Sequence, residues 1–328
     1  MIPFTENGAE EIAALGEVRL ISRIREWLGE VAPPAPQGMG DDSAVLSPRA
    51  EQRLVTTDSV LWGRHFDASV LPEQAGEKLI KRNLSDIAAM GGEPADAVLS
   101  LIMGPDVAVG WLARFFQGVA TACARHRVAL VGGDVVGADR GFFCATLALT
   151  GFGEKPLLRL SAKVGDALLV TGRLGGSLAG KHYLFEPRLA EGRWLARQVG
   201  VHAGMDITDG LAKDLPAFLP EGCAAEIVVA EIPVDEAAKE MSLRDGKSPL
   251  LHALADGEDY ELLLAVAEEK VPALLSDWQR EFPDLPLTVI GHIVSACTPE
   301  ENGCLLDASS RMPILEGKGG YAHFGQNE

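Results

Sequence analysis

The feature that most constrains the fold is an alternation of strand-like and helix-like segments. It runs twice along the chain, once on each side of "GEKPLLRLSAKVGD" at 153–166. Before that segment, 18–30 has helical periodicity with Leu20, Ile21, Ile24 and Leu28 on one face. "VAPPAPQG" then breaks any regular element. "DSAVLS" (42–47) and "RLVTTDSVL" (53–61) read as short strands. "PEQAGEKLIKRNLSDIAAMGG" reads as a long helix, with Pro72 at its start and Gly91-Gly92 at its end. "DAVLSLIM" reads as a strand and "VGWLARFFQGVATACARHR" as a second helix. "VALVGGD" is expected to be a strand ending in a glycine turn, and "GFFCATLALTGF" a further strand. After the break come "ALLVTG", a helix, "AGMDITDGLAKDLPAF" opening another helix, "AAEIVVAEIPV", "ELLLAV", a helix, and "LTVIGHIV". Two such runs predict an α/β (α+β) protein of two domains, 1–153 and 154–328.

Charge narrows the partners. Acids outnumber bases 47 to 29, for a formal charge of −18, and no Lys/Arg run opposes that field. Nucleic acid and anionic membrane are therefore excluded as expected partners. Phosphorylated substrates would need divalent cations beside them. The five cysteines, at 123, 144, 223, 297 and 304, form no Cys-x-x-Cys pair and no metal-ligand spacing. They read as reduced thiols of a cytoplasmic protein. The N-terminal segment has no basic start followed by an apolar core, and no apolar run reaches the ~20 residues of a membrane span.

"GGSLAGKH" at 175–182 spells Gly-x-x-x-x-Gly-Lys, but His182 stands where a phosphate-binding P-loop carries the Ser or Thr that ligates Mg²⁺. Glycine-rich strand-to-helix turns also arise for steric reasons. The stretch is accordingly read as a turn, with Lys181 a partly solvated helix residue.

The aspartates carry more information. "GDDSAVL" puts Asp41 and Asp42 at a glycine turn, and "VTTDSV" places Asp58 after Thr56 and Thr57. "RNLSDIAAMGG" sets Asp86 beside an apolar helix stripe, "LVGGDVV" puts Asp134 beyond an apolar strand, and "MDITDGLAKDL" adds Asp206 and Asp209. Each has an ordinary alternative. Aspartate beside glycine is turn chemistry. Asp86 lies one turn from Arg82, and Asp206 or Asp209 could cap a helix starting near Gly210. Jointly, carboxylates gathered at strand ends repel one another unless cations bind between them, and threonine hydroxyls are oxygen donors that Mg²⁺ accepts. The pattern points to a Mg²⁺ site for a phosphorylated ligand.

"GDDSAVL", "TTDSVLWGRHF", "NLSDIAAMGGEP", "GGD", "MDITDGLAKDL" and "DGEDYELLL" occur here in the order seen in the thiamine-monophosphate kinase family, which the chain resembles from about residue 16 to "KGGYAHF". The resemblance implies the two-domain aminoimidazole ribonucleotide synthetase-like fold. Its N-terminal mixed-sheet domain binds ATP and Mg²⁺ and pairs in a homodimer; its C-terminal α/β domain completes the active site. The reaction implied is ATP-dependent phosphorylation of thiamine monophosphate to thiamine diphosphate, by direct Mg-assisted in-line transfer. By the same resemblance, several Mg²⁺ ions fall to Asp42, Thr56, Thr57, Asp58, Asp86, Asp134, Asp206 and Asp209. ATP contacts fall on Gly133, Asp134, Arg159 and Thr208, and thiamine monophosphate on His65, Glu258 and Tyr321. No residue is expected to act as a general base, because a phosphate monoester is already largely ionised at neutral pH.

The chain departs from the family in places. After "GGD" the family usually has Thr-Thr-Arg-Gly, whereas "VVGADRG" is longer and lacks both threonines. Thr56 and Thr208 stand where serine is common, and the stretch after "VTG" is short. The reactive N-terminal cysteine of selenophosphate synthetase and the C-terminal cysteine of the hydrogenase-maturation factor are both missing here. Two alternatives stay open: transfer to another small phosphorylated acceptor, and a Mg·ATP-binding regulatory or assembly protein of the same fold without kinase activity.

Overall fold

Apolar runs with turn residues at both ends become the strands, and amphipathic runs the helices. The computed structural model describes residues 1–34, 37, 46 and 50–315. The chain divides into two units, Met1–Ile87 with Gly92–Glu154, and Ala88–Gly91 with Lys155–Glu328.

The first unit contains α1 (Glu17–Leu28), β1 (Gln52–Leu61), α2 (Pro72–Ala89), β2 (Glu93–Met103), α3 (Val109–His126), β3 (Ala129–Gly137) and β4 (Phe143–Gly153). Leu20, Ile24 and Leu28 of α1 are buried as the periodicity requires, but Ile21 is exposed. The strands form a mixed sheet in the order β1-β4-β2-β3, with β2 and β3 parallel and the other pairs antiparallel. Strand alternation divides the sheet into two faces. On one face Leu54, Val60, Leu99, Leu101, Phe143, Ala145, Leu147 and Leu149 are buried. Phe143 there meets Trp111 and Phe115 of α3 at ring distances of 4.9 and 5.3 Å. The register places Ser59, Thr146, Ser100 and Asp134 in one row across the other face, with Val98 and Val136 in the neighbouring rows.

The glycine turn expected at the end of β3 is not one, since Gly132 and Gly133 lie inside the strand. A Cβ on Gly133 would come within 2.1 Å of the Leu99 carbonyl oxygen, so the glycine serves a close approach of strands. The strand expected at 42–47 lies outside the described residues, Leu46 apart.

The second unit contains β5 (Asp166–Thr171), α4 (Lys181–Leu184), α5 (Leu189–Ala196), β6 (Val201–Asp206), α6 (Leu211–Asp214), β7 (Cys223–Ile227), α7 (Glu236–Asp245), α8 (Pro249–Ala255), β8 (Leu262–Ala267), α9 (Val271–Glu281), β9 (Leu287–Ser295) and β10 (Leu305–Asp307). Its sheet runs β10-β7-β9-β5-β8-β6. Alternate residues of β5 and β8 enter opposite cores, with Leu168, Val170, Leu263 and Ala265 on one side and Ala167, Leu169, Leu264 and Val266 on the other. Burial on both faces explains why these strands read as continuous apolar runs. "AGMDITDGLAKDLPAF" begins as strand β6 and opens helix α6 at Leu211, beside the Gly210 start expected from sequence. The single helix expected after "VTG" is two, α4 and α5, separated by Phe185–Arg188.

Candidate active site

In the first unit, β1 and α2 bring three of the expected residues onto the covered face of the sheet. Thr56 donates its hydroxyl hydrogen bond to Asp86 across the strand–helix contact. Asp58 is gripped by Arg82 through two parallel bonds, Nε to Oδ2 and a terminal nitrogen to Oδ1, each 2.9 Å. Such a fork fixes the carboxylate plane as well as its charge. Arg82 thus pairs with Asp58, 24 residues away in sequence.

Thr57 and Asp134 occupy the opposite face. The Thr57 hydroxyl donates to the Leu147 carbonyl at 2.9 Å, and Asp134 is exposed beside Gly133. The register therefore separates the expected ligands of this unit into Thr56, Asp58 and Asp86 on one side and Thr57 and Asp134 on the other. His65 follows β1. Its Nδ1 accepts from the Leu61 N–H at 3.0 Å, which leaves the neutral ring with its proton on Nε2. The buried Lys78 ammonium holds the His65 carbonyl at 2.6 Å. Arg140, in the altered loop, pairs with Glu11 at 2.7 Å.

In the second unit, Asp206 ends β6 and is buried. The backbone N–H groups of Thr208 and Asp209 both donate to the Asp214 carboxylate, at 2.8 and 2.9 Å. Burial pushes Asp214 up to about 6, against those two bonds. Gly210 caps α6, so neither Asp206 nor Asp209 does; Asp209 instead takes an ion pair from Lys213. Arg159 is exposed in a short turn.

Glu258 lies in the loop before β8 with φ +54°, and Tyr260 beside it has φ +53°. A non-glycine side chain in the left-handed region stores strain of order 1 kcal/mol or more. The Glu258 N–H donates to the Thr208 carbonyl at 2.6 Å, tying this loop to the one that follows β6. Below it, Glu261 is buried and receives Arg188 through two bonds of 2.8 and 2.7 Å, Lys181 at 2.9 Å, and the Thr171 hydroxyl at 2.8 Å. Gly172, at φ +62°, has no room for a Cβ, which would stand 2.2 Å from the Glu261 carboxylate. Asp259 accepts from the Gly175 N–H at 2.9 Å, and burial drives its carboxyl up to about 7, opposed by Lys181.

Lys181 is therefore occupied within its own unit. Its ammonium faces Glu261, Asp259 at 3.8 Å, and the Arg173 carbonyl. It is far less solvated than a surface helix lysine, with a side chain 19% exposed. The glycine-rich stretch is a turn that carries an internal counter-ion.

Asp42 and Tyr321 lie outside the described residues. Among the described residues, no three His, Cys, Asp or Glu side chains gather as a metal-ligand group. The carboxylate and hydroxyl oxygens of Asp86, Thr56, Asp58, Asp206 and Asp209 are still the hard donors that Mg²⁺ takes. They fit such an ion chemically, and Thr56 and Asp86 are in direct contact. Sequence reasoning named Arg82 and Lys181 in other roles and missed Asp214, Arg188 and Glu261. A signal existed only for Asp214, five residues beyond Asp209 in "TDGLAKD".

The fold and these acidic loops define a class. Residues 40–154 match the family model for AIR synthase related protein, N-terminal domain, and 163–300 that for AIR synthase related protein, C-terminal domain. The chain is 37% identical over 276 residues to the thiamine-monophosphate kinase of Rhodopirellula baltica, covering 80% of this chain and 84% of the relative. It is 32% identical to that of Aquifex aeolicus, covering 94% and 98%. Among solved structures, "AaThiL complexed with AMPPCP and TMP" superposes with a TM-score of 0.71 at 29% identity, covering 95% of this chain and 98% of the other. The chain belongs to the thiamine-monophosphate kinase family. No helix among the described residues is long and apolar enough to cross a membrane.

Proposed function

We infer that this chain catalyses ATP-dependent phosphorylation of thiamine monophosphate, giving thiamine diphosphate and ADP. The observation that carries the reading is identity of 30% or more, over most of the chain, to kinases named for that acceptor. The solved relative complexed with AMPPCP and TMP supports the same pair of substrates.

The chemistry asks little of a base. An oxygen of the acceptor's ionised phosphate attacks the γ-phosphorus of ATP, a new P–O–P bond forms, and the bond to the β-phosphate oxygen breaks as ADP leaves. The chain's task is to bind and orient two anions. Thr56, Asp58 and Asp86, with Thr57 and Asp134, Asp206 and Asp209, and Asp42, are the residues we assign to Mg²⁺. When bound, such ions would offset the repulsion between the two phosphate groups. Arg82 orients Asp58, and Asp214 holds the backbone of Thr208 and Asp209, which present the second unit's oxygens. Gly133, Asp134, Arg159 and Thr208 are assigned to ATP, and His65, Glu258 and Tyr321 to the acceptor. Glu258 suits the cationic or amino-bearing rings of thiamine.

The uncovered face of the first unit's sheet supports a homodimer. Val55 is 69% exposed there, and Val98 and Val136 are each 44% exposed. Residues 1–153 then form the ATP, Mg²⁺ and dimerisation domain, and 154–328 complete the active site. We place the reaction in the cytoplasm, in keeping with five free cysteines.

The acceptor reading is tested by comparing thiamine with its monophosphate. Thiamine's hydroxyl is un-ionised at neutral pH and none of the assigned residues serves as its base. Its kcat/KM should be at least a hundredfold lower. Comparable values for the two acceptors would overturn the reading.

A further inference from the structure

The loop that carries Glu258 holds two left-handed non-glycine residues, and such strain persists only where the surroundings over-determine it. The stretch 175–188 supplies those surroundings. The Gly175 N–H bonds Asp259, Lys181 and Arg188 face Glu261, and the Phe185 ring stacks on Tyr260 with centroids 3.9 Å apart and planes 14° from parallel. On the Glu258 carboxylate itself, Oε1 accepts from the Tyr260 hydroxyl at 3.1 Å, and Oε2 faces His182 Nδ1 at 3.5 Å. Each carboxylate oxygen thus has its own neighbour. The Glu258 side chain keeps 29% exposure, enough for one edge to meet a ligand.

We propose that His182, with Tyr260, is a positioning residue for acceptor recognition: it fixes the plane of the Glu258 carboxylate so that this group meets the nitrogen-bearing ring of the acceptor. The inference rests on the reading of Glu258 as an acceptor contact. Position 182, the one that spoils the P-loop signature, then acts on the acceptor side of the reaction rather than on the nucleotide. A carboxylate held at both oxygens loses less freedom on binding, so the gain falls on acceptor affinity. It should leave the nucleotide untouched.

The experiment is steady-state kinetics of the full chain with Mg·ATP and thiamine monophosphate, on four variants of matched melting temperature. Glu258→Gln should raise the acceptor KM tenfold or more. His182→Ala should raise it about tenfold, with the KM for ATP within twofold. His182→Asn, whose amide can stand in for Nδ1, should stay within threefold of the parent. The double variant Glu258→Gln/His182→Ala should be no worse than Glu258→Gln alone, because the histidine acts through that carboxylate. If Glu258→Gln raises the acceptor KM and His182→Ala does not, the positioning role is wrong and the role of Glu258 stands. If Glu258→Gln leaves the acceptor KM at the parent value, the role of Glu258 fails and the inference falls with it. An equal rise in the KM for ATP in His182→Ala also overturns it.

Discussion

Glu261 in the second unit and Asp86 in the first are both carboxylates held by a threonine hydroxyl, yet their settings differ. Glu261 is buried and also faces Arg188 and Lys181, so its charge is compensated within its own unit. Asp86 accepts from the neutral Thr56 hydroxyl and stays half-buried rather than enclosed. Asp58 is intermediate, with one guanidinium that orients it. A buried ion pair is costly to desolvate and gains little net stability, but it holds its neighbours in one arrangement. The difference separates carboxylates that build the scaffold from carboxylates available to a cation.

The comparison breaks most sharply at Asp86. Asp86→Asn, like Asp58→Asn, should lower turnover by at least two orders of magnitude with the fold intact, since each removes charge that must offset substrate repulsion. Full activity at limiting Mg²⁺ would place these acids with the scaffold instead. For Arg188→Met the loss should appear in stability, because Glu261 keeps the Thr171 hydroxyl but only Lys181 of its two cations. We expect about 2 kcal/mol in denaturant unfolding, and an unchanged midpoint would mean the pair is dispensable.

Asp259 sharpens the contrast through pH. Its folded pKa of about 7 lies above the ordinary 3.8, so the folded state binds the extra proton between those values. Its contribution to stability is fully present below about 4 and is lost as pH rises towards about 7. Melting curves of Asp259→Asn should be flatter across that window than those of the parent. Identical slopes would contradict the upward push that burial gives this carboxyl. The smallest effect belongs to Lys181→Ala. The KM for ATP should stay within about fivefold, under ~1 kcal/mol, while the melting temperature falls. A hundredfold rise would return the glycine-rich stretch to phosphate binding.

These distinctions were only partly legible in the sequence. Strands such as "LLLAVA" and helices such as α2 and α3 show plainly, since burial on two faces or one leaves a direct pattern of apolar residues. Gly132-Gly133 misleads, because the contact that demands glycine is with Leu99, far away in sequence. β10 is three residues long and gives no periodicity. The acids themselves were readable from their glycine and threonine neighbours. Their partners were not: Arg82 meets Asp58 across 24 residues and Arg188 meets Glu261 across 73, distances at which only the folded chain decides who pairs. The left-handed backbone of Glu258 is equally silent in "GEDYELL".

The most direct test of the whole account is phosphorus NMR of the chain with Mg·ATP and thiamine monophosphate. The monophosphate resonance should give way to the coupled pair of a diphosphate ester, with ADP rising in step. An ATP spectrum that stays unchanged, or one that yields ADP and inorganic phosphate with the monophosphate intact, would contradict it.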